Sequence, residues 1–239
     1  RIKISNRRRP ARKGRIMTTT SPWIPVALSA DIEAGTSAGT LVNGEERVVW
    51  RDDKGAIHVW EDRCPHRGMR MSFGFVRGDH IACLYHGWRY DTGGQCRYIP
   101  AHPDLEVPQT IKVPTFAATE RAGIVWMAPE GTDAADLSTL PETAEPVRSL
   151  FLDLPAEQAL SAVTSALPEG YSVSGTTEAT LTLQGNGTTV LIAAQVRDAE
   201  RTALHMTVIG DISTATRRSL ALWATDLRNR LEARSMEAA

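Results

Sequence analysis

The sequence predicts a mainly β plus α+β chain, with an N-terminal antiparallel β domain followed by a small antiparallel sheet and a long C-terminal helix. Short apolar stretches punctuated by Gly, Pro and Asp run from Trp23 to about Met127 without helical periodicity. The stretch "PEGTDAADLSTLPETAEPV" at 129–147 then replaces the strand pattern with Pro, Thr, Ala and acids. Beyond it, helical spacing occurs after Pro155 and again at the C-terminal end, flanking three strand-like runs.

In the first half, Val48 and Trp50 alternate with their neighbours, "DDKG" at 52–55 supplies a turn, and Ile57 and Val59 alternate again, which reads as a hairpin. Further strands are predicted at 79–83, 88–91, 95–99, 111–119 and 123–128, with "DTGG" at 91–94 as a turn. In the second half, Ala156, Leu160, Val163 and Leu167 recur at helical spacing, and Pro155 suits a first helical turn. Strands follow at roughly 179–184, 188–195 and 202–209, joined by "GNG" at 185–187 and "RDAE" at 197–200. The closing helix places Leu220, Trp223, Leu227 and Leu231 on one stripe. The expected boundaries are a basic disordered tail at 1–20, a β domain at 21–130, a linker at 131–150 and a small α+β domain at 151–239.

A chain of 239 residues, 42 % hydrophobic and 23 % charged, can build one large core or two small ones. No run approaches the roughly 18 apolar residues of a membrane span, and no apolar signal region follows the basic start. The expectation is therefore a cytoplasmic protein with no membrane partner. Three cysteines are an odd number, and two have histidine neighbours, which argues against a disulfide framework. The net charge of −1 hides an asymmetry, because residues 1–16 hold eight Lys or Arg and no acid, leaving the rest at −9. Such a tail suits a nucleic-acid arm or an organelle-targeting peptide. We read it instead as a disordered extension upstream of a start at Met17, with no nucleic-acid partner.

The chemistry is concentrated in "CPHRG" and "CLYHGW", which give Cys64-x-His66, sixteen intervening residues, then Cys83-x2-His86. Thiolate and imidazole are metal ligands, and each loop carries one of each with a glycine, Gly68 or Gly87, that lets the backbone come close. Four ligands of this type also suit tetrahedral zinc, in a zinc-stabilised interaction domain, although zinc sites usually pair Cys with Cys and His with His.

The two loops resemble the Rieske [2Fe–2S] motif, in which two cysteines bind one iron and two histidines the other. The resemblance assigns Cys64 and Cys83 to the first iron, and His66 and His86 to the second. Replacing two thiolates by neutral imidazoles leaves the oxidised centre uncharged, so an electron is added more easily. This raises the potential from about −400 mV to about −150 to +300 mV. Respiratory members of the family have a disulfide between the loops and a serine donor after the second His-Gly. Met69, Tyr85 and Trp88 stand at those positions here, which implies the low end of the range.

"WIPVALSADI", "GEERVVWRDDKGAIHVWEDRCPHRG", "YHGWRYDTGGQCRYIPA" and "RAGIVWMAPEG" are similar to the N-terminal domain of Rieske non-haem iron oxygenases, particularly vanillate O-demethylase-like monooxygenases, over about 23–131. Such oxygenases carry a second domain with a mononuclear iron on two histidines and a carboxylate. Only His205 lies beyond the linker, so no mononuclear non-haem iron is expected, and the last segment resembles a truncated helix-grip lobe. His205 is expected at a surface or cavity edge. The resemblance implies one-electron transfer in an oxygenase-type redox system, with a reductase or ferredoxin and an oxygenase as partners that dock at His66 and His86. The alternative is an oxygenase component whose mononuclear iron site is missing here, is supplied by another subunit or lies at an unrecognised site. Arg67 and Arg70 are candidate cations for the extra electron, Cys96 is expected to be a packing residue, and His80 and His102 structural or exposed.

Overall fold

The computed structural model describes residues 21–237, with side chains through 233; the basic tail read at 1–20 lies outside the described residues. In chain order the elements are β1 (Ile24–Leu28), β2 (Ser37–Val42), β3 (Glu45–Arg51), β4 (Ile57–Glu61), β5 (Phe75–Arg77), β6 (His80–Ala82), β7 (Arg89–Asp91), β8 (Cys96–Tyr98), β9 (Thr115–Arg121), β10 (Ile124–Ala128), β11 (Glu145–Leu152), α1 (Ala156–Ser165), β12 (Tyr171–Thr176), β13 (Thr180–Gly185), β14 (Thr188–Val196), β15 (Thr202–Ile209) and α2 (Thr214–Glu237). None of the described helices is long and apolar enough to cross a membrane.

Three antiparallel sheets result. A six-stranded sheet runs β1-β10-β9-β4-β3-β2, a four-stranded one β5-β6-β7-β8, and a five-stranded one β11-β15-β14-β13-β12. The β3–β4 hairpin forms where alternation predicted it. Its turn is held by Asp52, whose Oδ1 accepts from the backbone N–H of Lys54 and of Ala56, each at 2.9 Å. One face of this hairpin buries Val48, Trp50 and Trp60 against Met71, Ile81, Tyr90 and all three cysteines. Its other face packs Val49 and Val59 against Val26, Val125 and Met127.

Helices α1 and α2 cover one face of the five-stranded sheet. Ala156, Ala159 and Val163 of α1, with Leu220, Ala224 and Leu227 of α2, pack on Leu183, Ile192, Leu204, Met206 and Val208. The β13–β14 turn uses Asn186 and Gly187 at φ +50° and +74°, the double left-handed geometry that favours Asn-Gly in two-residue hairpins.

The structure departs from expectation in three places. The sheet following the linker has five strands where three were predicted, because β11 and the polar edge strand β12 were missed. The segment expected as a linker at 131–150 instead holds a short 3-10 turn at Ala134–Leu137, and β11 begins within it at Glu145. The second face of the five-stranded sheet is covered as well: Leu191 and Ala193 join Trp23, Leu28, Ile124 and Trp126 in one core. The two halves therefore share apolar surface instead of standing apart on a tether.

Candidate metal centre

Both candidate loops follow one backbone plan. In the first, the Cys64 N–H donates to the Met69 carbonyl and the Gly68 N–H to the Cys64 carbonyl, both at 2.8 Å. In the second, the Cys83 N–H donates to the Trp88 carbonyl at 2.8 Å and the Gly87 N–H to the Cys83 carbonyl at 2.9 Å. Gly68 and Gly87 close these turns at φ +72° and +68°, a left-handed geometry that a Cβ disfavours. The loops differ in where the histidine sits: His66 is two residues after its cysteine and His86 three. C-x-H and C-x2-H are thus two fillings of the same six-residue turn. The second turn is the tip of the β6–β7 hairpin, and the first follows β4.

The turns bring the two thiols together. Cys64 and Cys83 are each 3 % exposed, and their sulfurs lie close enough to perturb one another's ionisation. That contact draws the Cys64 thiol down to about 6, against the opposing effect of burial, and holds the Cys83 thiol up. Each sulfur also receives two backbone N–H donors from its own turn, those of His66 and Arg67 for Cys64 and those of Tyr85 and His86 for Cys83. Donors aimed at sulfur favour thiolate, which is the metal-binding form. The Tyr90 hydroxyl lies 3.1 Å from Cys64 Sγ. Burial, followed by the neighbouring thiol, raises the Tyr90 phenol above its usual range, so it stays protonated and donates.

The imidazoles lie side by side toward solvent. The His66 and His86 ring centroids are 4.7 Å apart at 61°, with His66 half-buried and His86 exposed. Trp88 stacks on His66 at 4.2 Å and 5°, and Tyr85 on His86 at 4.1 Å and 28°. A sulfur pair within and an imidazole pair without could hold two metal ions with two protein ligands apiece. Among the described residues no three His, Cys, Asp or Glu side chains converge on one point.

The other candidates fall elsewhere. Cys96 is buried in the same core, its sulfur 3.8 Å from the Tyr98 carbonyl. Arg70 shares Glu46 with Arg63, while Arg67 is exposed. His58 bonds Asp52 at 3.2 Å, His80 lies 3.6 Å from Asp79, and His102 is exposed. His205 was expected at a surface but is 2 % exposed. Its Nδ1 lies 2.9 Å from Ser149 Oγ and its Nε2 2.9 Å from Gln195 Oε1. The residue that the sequence reading missed is Tyr90. Its alternation with exposed Arg89 in β7 signals an inward side chain, but nothing in the sequence pairs it with Cys64.

Residues 22–116 match the family model described as Rieske [2Fe–2S] domain. These residues form a Rieske domain. Over 105 residues the chain is 40 % identical to oxidoreductase NdmD of Pseudomonas putida, a match covering 44 % of this chain and 18 % of that protein. It is 37 % identical over 107 residues to the 3-chlorobenzoate-3,4-dioxygenase oxygenase subunit of Comamonas testosteroni, covering 44 % of this chain and 25 % of that one. The matched segment thus spans a quarter or less of these two relatives. The solved structure of NdmA from Pseudomonas putida superposes with TM-score 0.68 at 19 % identity, over 88 % of this chain and 80 % of that chain. The likeness in fold therefore extends beyond the Rieske domain into the five-stranded sheet. A Rieske domain implies a [2Fe–2S] cluster, and the two buried thiols and two outward imidazoles fit its donor set.

Proposed function

We propose that Cys64 and Cys83 bind one iron of a [2Fe–2S] cluster, that His66 and His86 bind the other, and that the chain transfers single electrons in an oxygenase-type redox system. The observation that carries this is the pair of matched turns, which set two buried thiols behind two exposed-side imidazoles. When bound, the cluster supplies reversible one-electron chemistry. The protein's own contribution is to aim backbone donors at the sulfurs, exclude water from them, and fix the imidazoles against Trp88 and Tyr85. The partners would be a reductase or ferredoxin and an oxygenase. Three buried thiols without disulfides suit a reducing compartment, for which we take the cytoplasm.

The likeness in fold to NdmA supports a second reading, an oxygenase component with its mononuclear iron held by another subunit or at an unrecognised site of this chain. The five-stranded sheet argues for the first. Its helix-covered face is filled with aliphatic side chains, and its one histidine, His205, lies on the other face bonded to Ser149 and Gln195. Metal and acid-labile sulfide analysis with visible spectra before and after dithionite tests both. The carrier should show two irons and two sulfides per chain and bleach on reduction. A third iron would favour the oxygenase, and zinc without sulfide would refute both.

A further inference from the structure

We propose that Asp62 is a positioning residue for the two-iron site: its carboxylate staples the first ligand loop shut and so holds Cys64 and His66 in place opposite Cys83 and His86. The proposal rests on the ligand assignment above and adds to it a residue that binds no metal itself.

The need for a staple follows from how each turn is anchored. The second turn, 83–88, sits between Ala82 and Arg89, which are register partners in the β6–β7 ladder, so strand pairing closes it at its base. The first turn, 64–69, is flanked at the same offsets by Arg63 and Arg70, which belong to no strand. β4 ends at Glu61 and pairs with β3 and β9, while the chain beyond the turn enters a 3-10 turn at Met71–Phe73. With no ladder between them, the two ends of this loop have to be joined by side chains.

Asp62 joins them. The Ser72 N–H donates to Asp62 Oδ1 at 2.7 Å and the Ser72 hydroxyl donates to Oδ2 at 2.6 Å, so both carboxylate oxygens grip one residue across the loop. Both ends are also fixed to the six-stranded sheet: the Asp62 N–H donates to the Glu46 carbonyl at 3.1 Å, and the Ser37 hydroxyl to the Ser72 carbonyl at 3.1 Å. Asp62 is 1 % exposed, and hydrogen bonds to a buried carboxylate are strong and costly to leave unmade. Strand β2 is shaped to admit the contact. A Cβ at Gly39 would lie 3.0 Å from Ser72 Oγ and 3.4 Å from Asp62 Oδ2, so a side chain there would crowd the staple. Arg63 and Arg70 share Glu46 over the same loop, but at 58 % and 48 % exposure they contribute less. Cys64 and His66 both stand on the stapled loop, so under the proposed ligand set one protein ligand of each iron depends on it.

The test is hydrogen exchange read by mass spectrometry on the full chain, reconstituted with iron and sulfide, with chelator-driven loss of colour followed alongside. Asp62→Ala should speed exchange across 64–69 about tenfold or more while 83–88 is unchanged, because a lost staple opens one turn whereas global destabilisation opens both. Colour loss should quicken by a similar factor. Ser72→Ala should act in the same way more weakly, and the Asp62→Ala/Ser72→Ala double variant should be no worse than Asp62→Ala alone. Asp62→Asn should recover most of the protection, since its Oδ1 still accepts from the Ser72 N–H. Where Asp62→Ala does not fold, Ser72→Ala carries the same comparison between the two turns. Unchanged exchange, equal acceleration in both turns, additive effects of the two substitutions, or no rescue by Asn would overturn the proposal. Exchange in the two turns is measurable without a cluster. A colourless wild-type chain therefore refutes the electron-transfer reading, whereas a coloured one whose two turns respond alike refutes the staple alone.

Discussion

Tyr90 alters what the loop residues imply about potential. The lack of a serine after His86-Gly87 suggests sulfurs without a hydroxyl donor, but the Tyr90 hydroxyl reaches Cys64 Sγ at 3.1 Å from within the core. An added electron increases the negative charge on sulfur, so a donor there stabilises the reduced state more than the oxidised one. Tyr90→Phe keeps the packing and removes the donor. If about 1 kcal/mol of differential hydrogen bonding is lost, the midpoint should fall by on the order of 50 mV in a dithionite titration followed by visible absorption. An unchanged midpoint would mean that Cys64 is not a ligand. His86→Cys tests the other half of the donor set. Under the proposed ligand set it exchanges a neutral ligand for an anionic one and should lower the midpoint by more than about 100 mV wherever a cluster still assembles. A rise would contradict the charge argument.

At the level of elements, strand β15 shows how far a pattern can be read. Alternation correctly placed Leu204, Met206 and Val208 on one face and His205 on the other, but the partner of that second face was not visible in the sequence. Gln195 on β14 supplies it: its Nε2 donates to Thr40 Oγ1 at 2.8 Å and to the Leu41 carbonyl at 2.9 Å, tying β14 to β2. Gln195 Oε1 then accepts from His205 Nε2–H, and the bare Nδ1 accepts from Ser149. This chain has room for a neutral imidazole only. Desolvation lowers the His205 pKa from 6.5 to about 4. The unfolded chain therefore binds the extra proton between those values, and stability is full above about pH 6.5 and declines as pH falls toward 4. The loss amounts to about 3 kcal/mol. Denaturant unfolding across pH 4 to 7 should show this slope, and His205→Gln should flatten it; an equal slope in the variant would place the acid sensitivity elsewhere. The paired Cys–His turns were legible because ligand chemistry restricts residue types at short spacing. The edge strand β12 was not, since "YSVSGT" buries little and carries no strong period.

Over the whole molecule, the composition shift at 129–147 suggested two bodies joined by a linker, yet the apolar surface is continuous across it. The counter-signal was in β14, "TTVLIAAQV", an almost unbroken apolar run of the kind that marks a strand covered on both faces. One face meets α1 and α2, and the other meets the six-stranded sheet through Leu191 and Ala193 against Trp23 and Trp126. Further ties cross between the halves. The Asn43 N–H donates to the Val196 carbonyl at 3.0 Å, and the Gly44 N–H to the Arg197 carbonyl at 2.7 Å. A shared core of this kind should make the halves melt together, so that loss of cluster colour reports on packing far from the cluster. Leu191, 1 % exposed, lies in the five-stranded sheet and outside the core that surrounds the thiols. Leu191→Ala should cost about 2–5 kcal/mol. It should also lower the temperature of colour loss and that of far-UV unfolding by the same amount, with the midpoint potential unchanged. Two separate transitions, with colour loss unmoved by the substitution, would show that the Rieske domain holds its cluster without help from the sheet behind it.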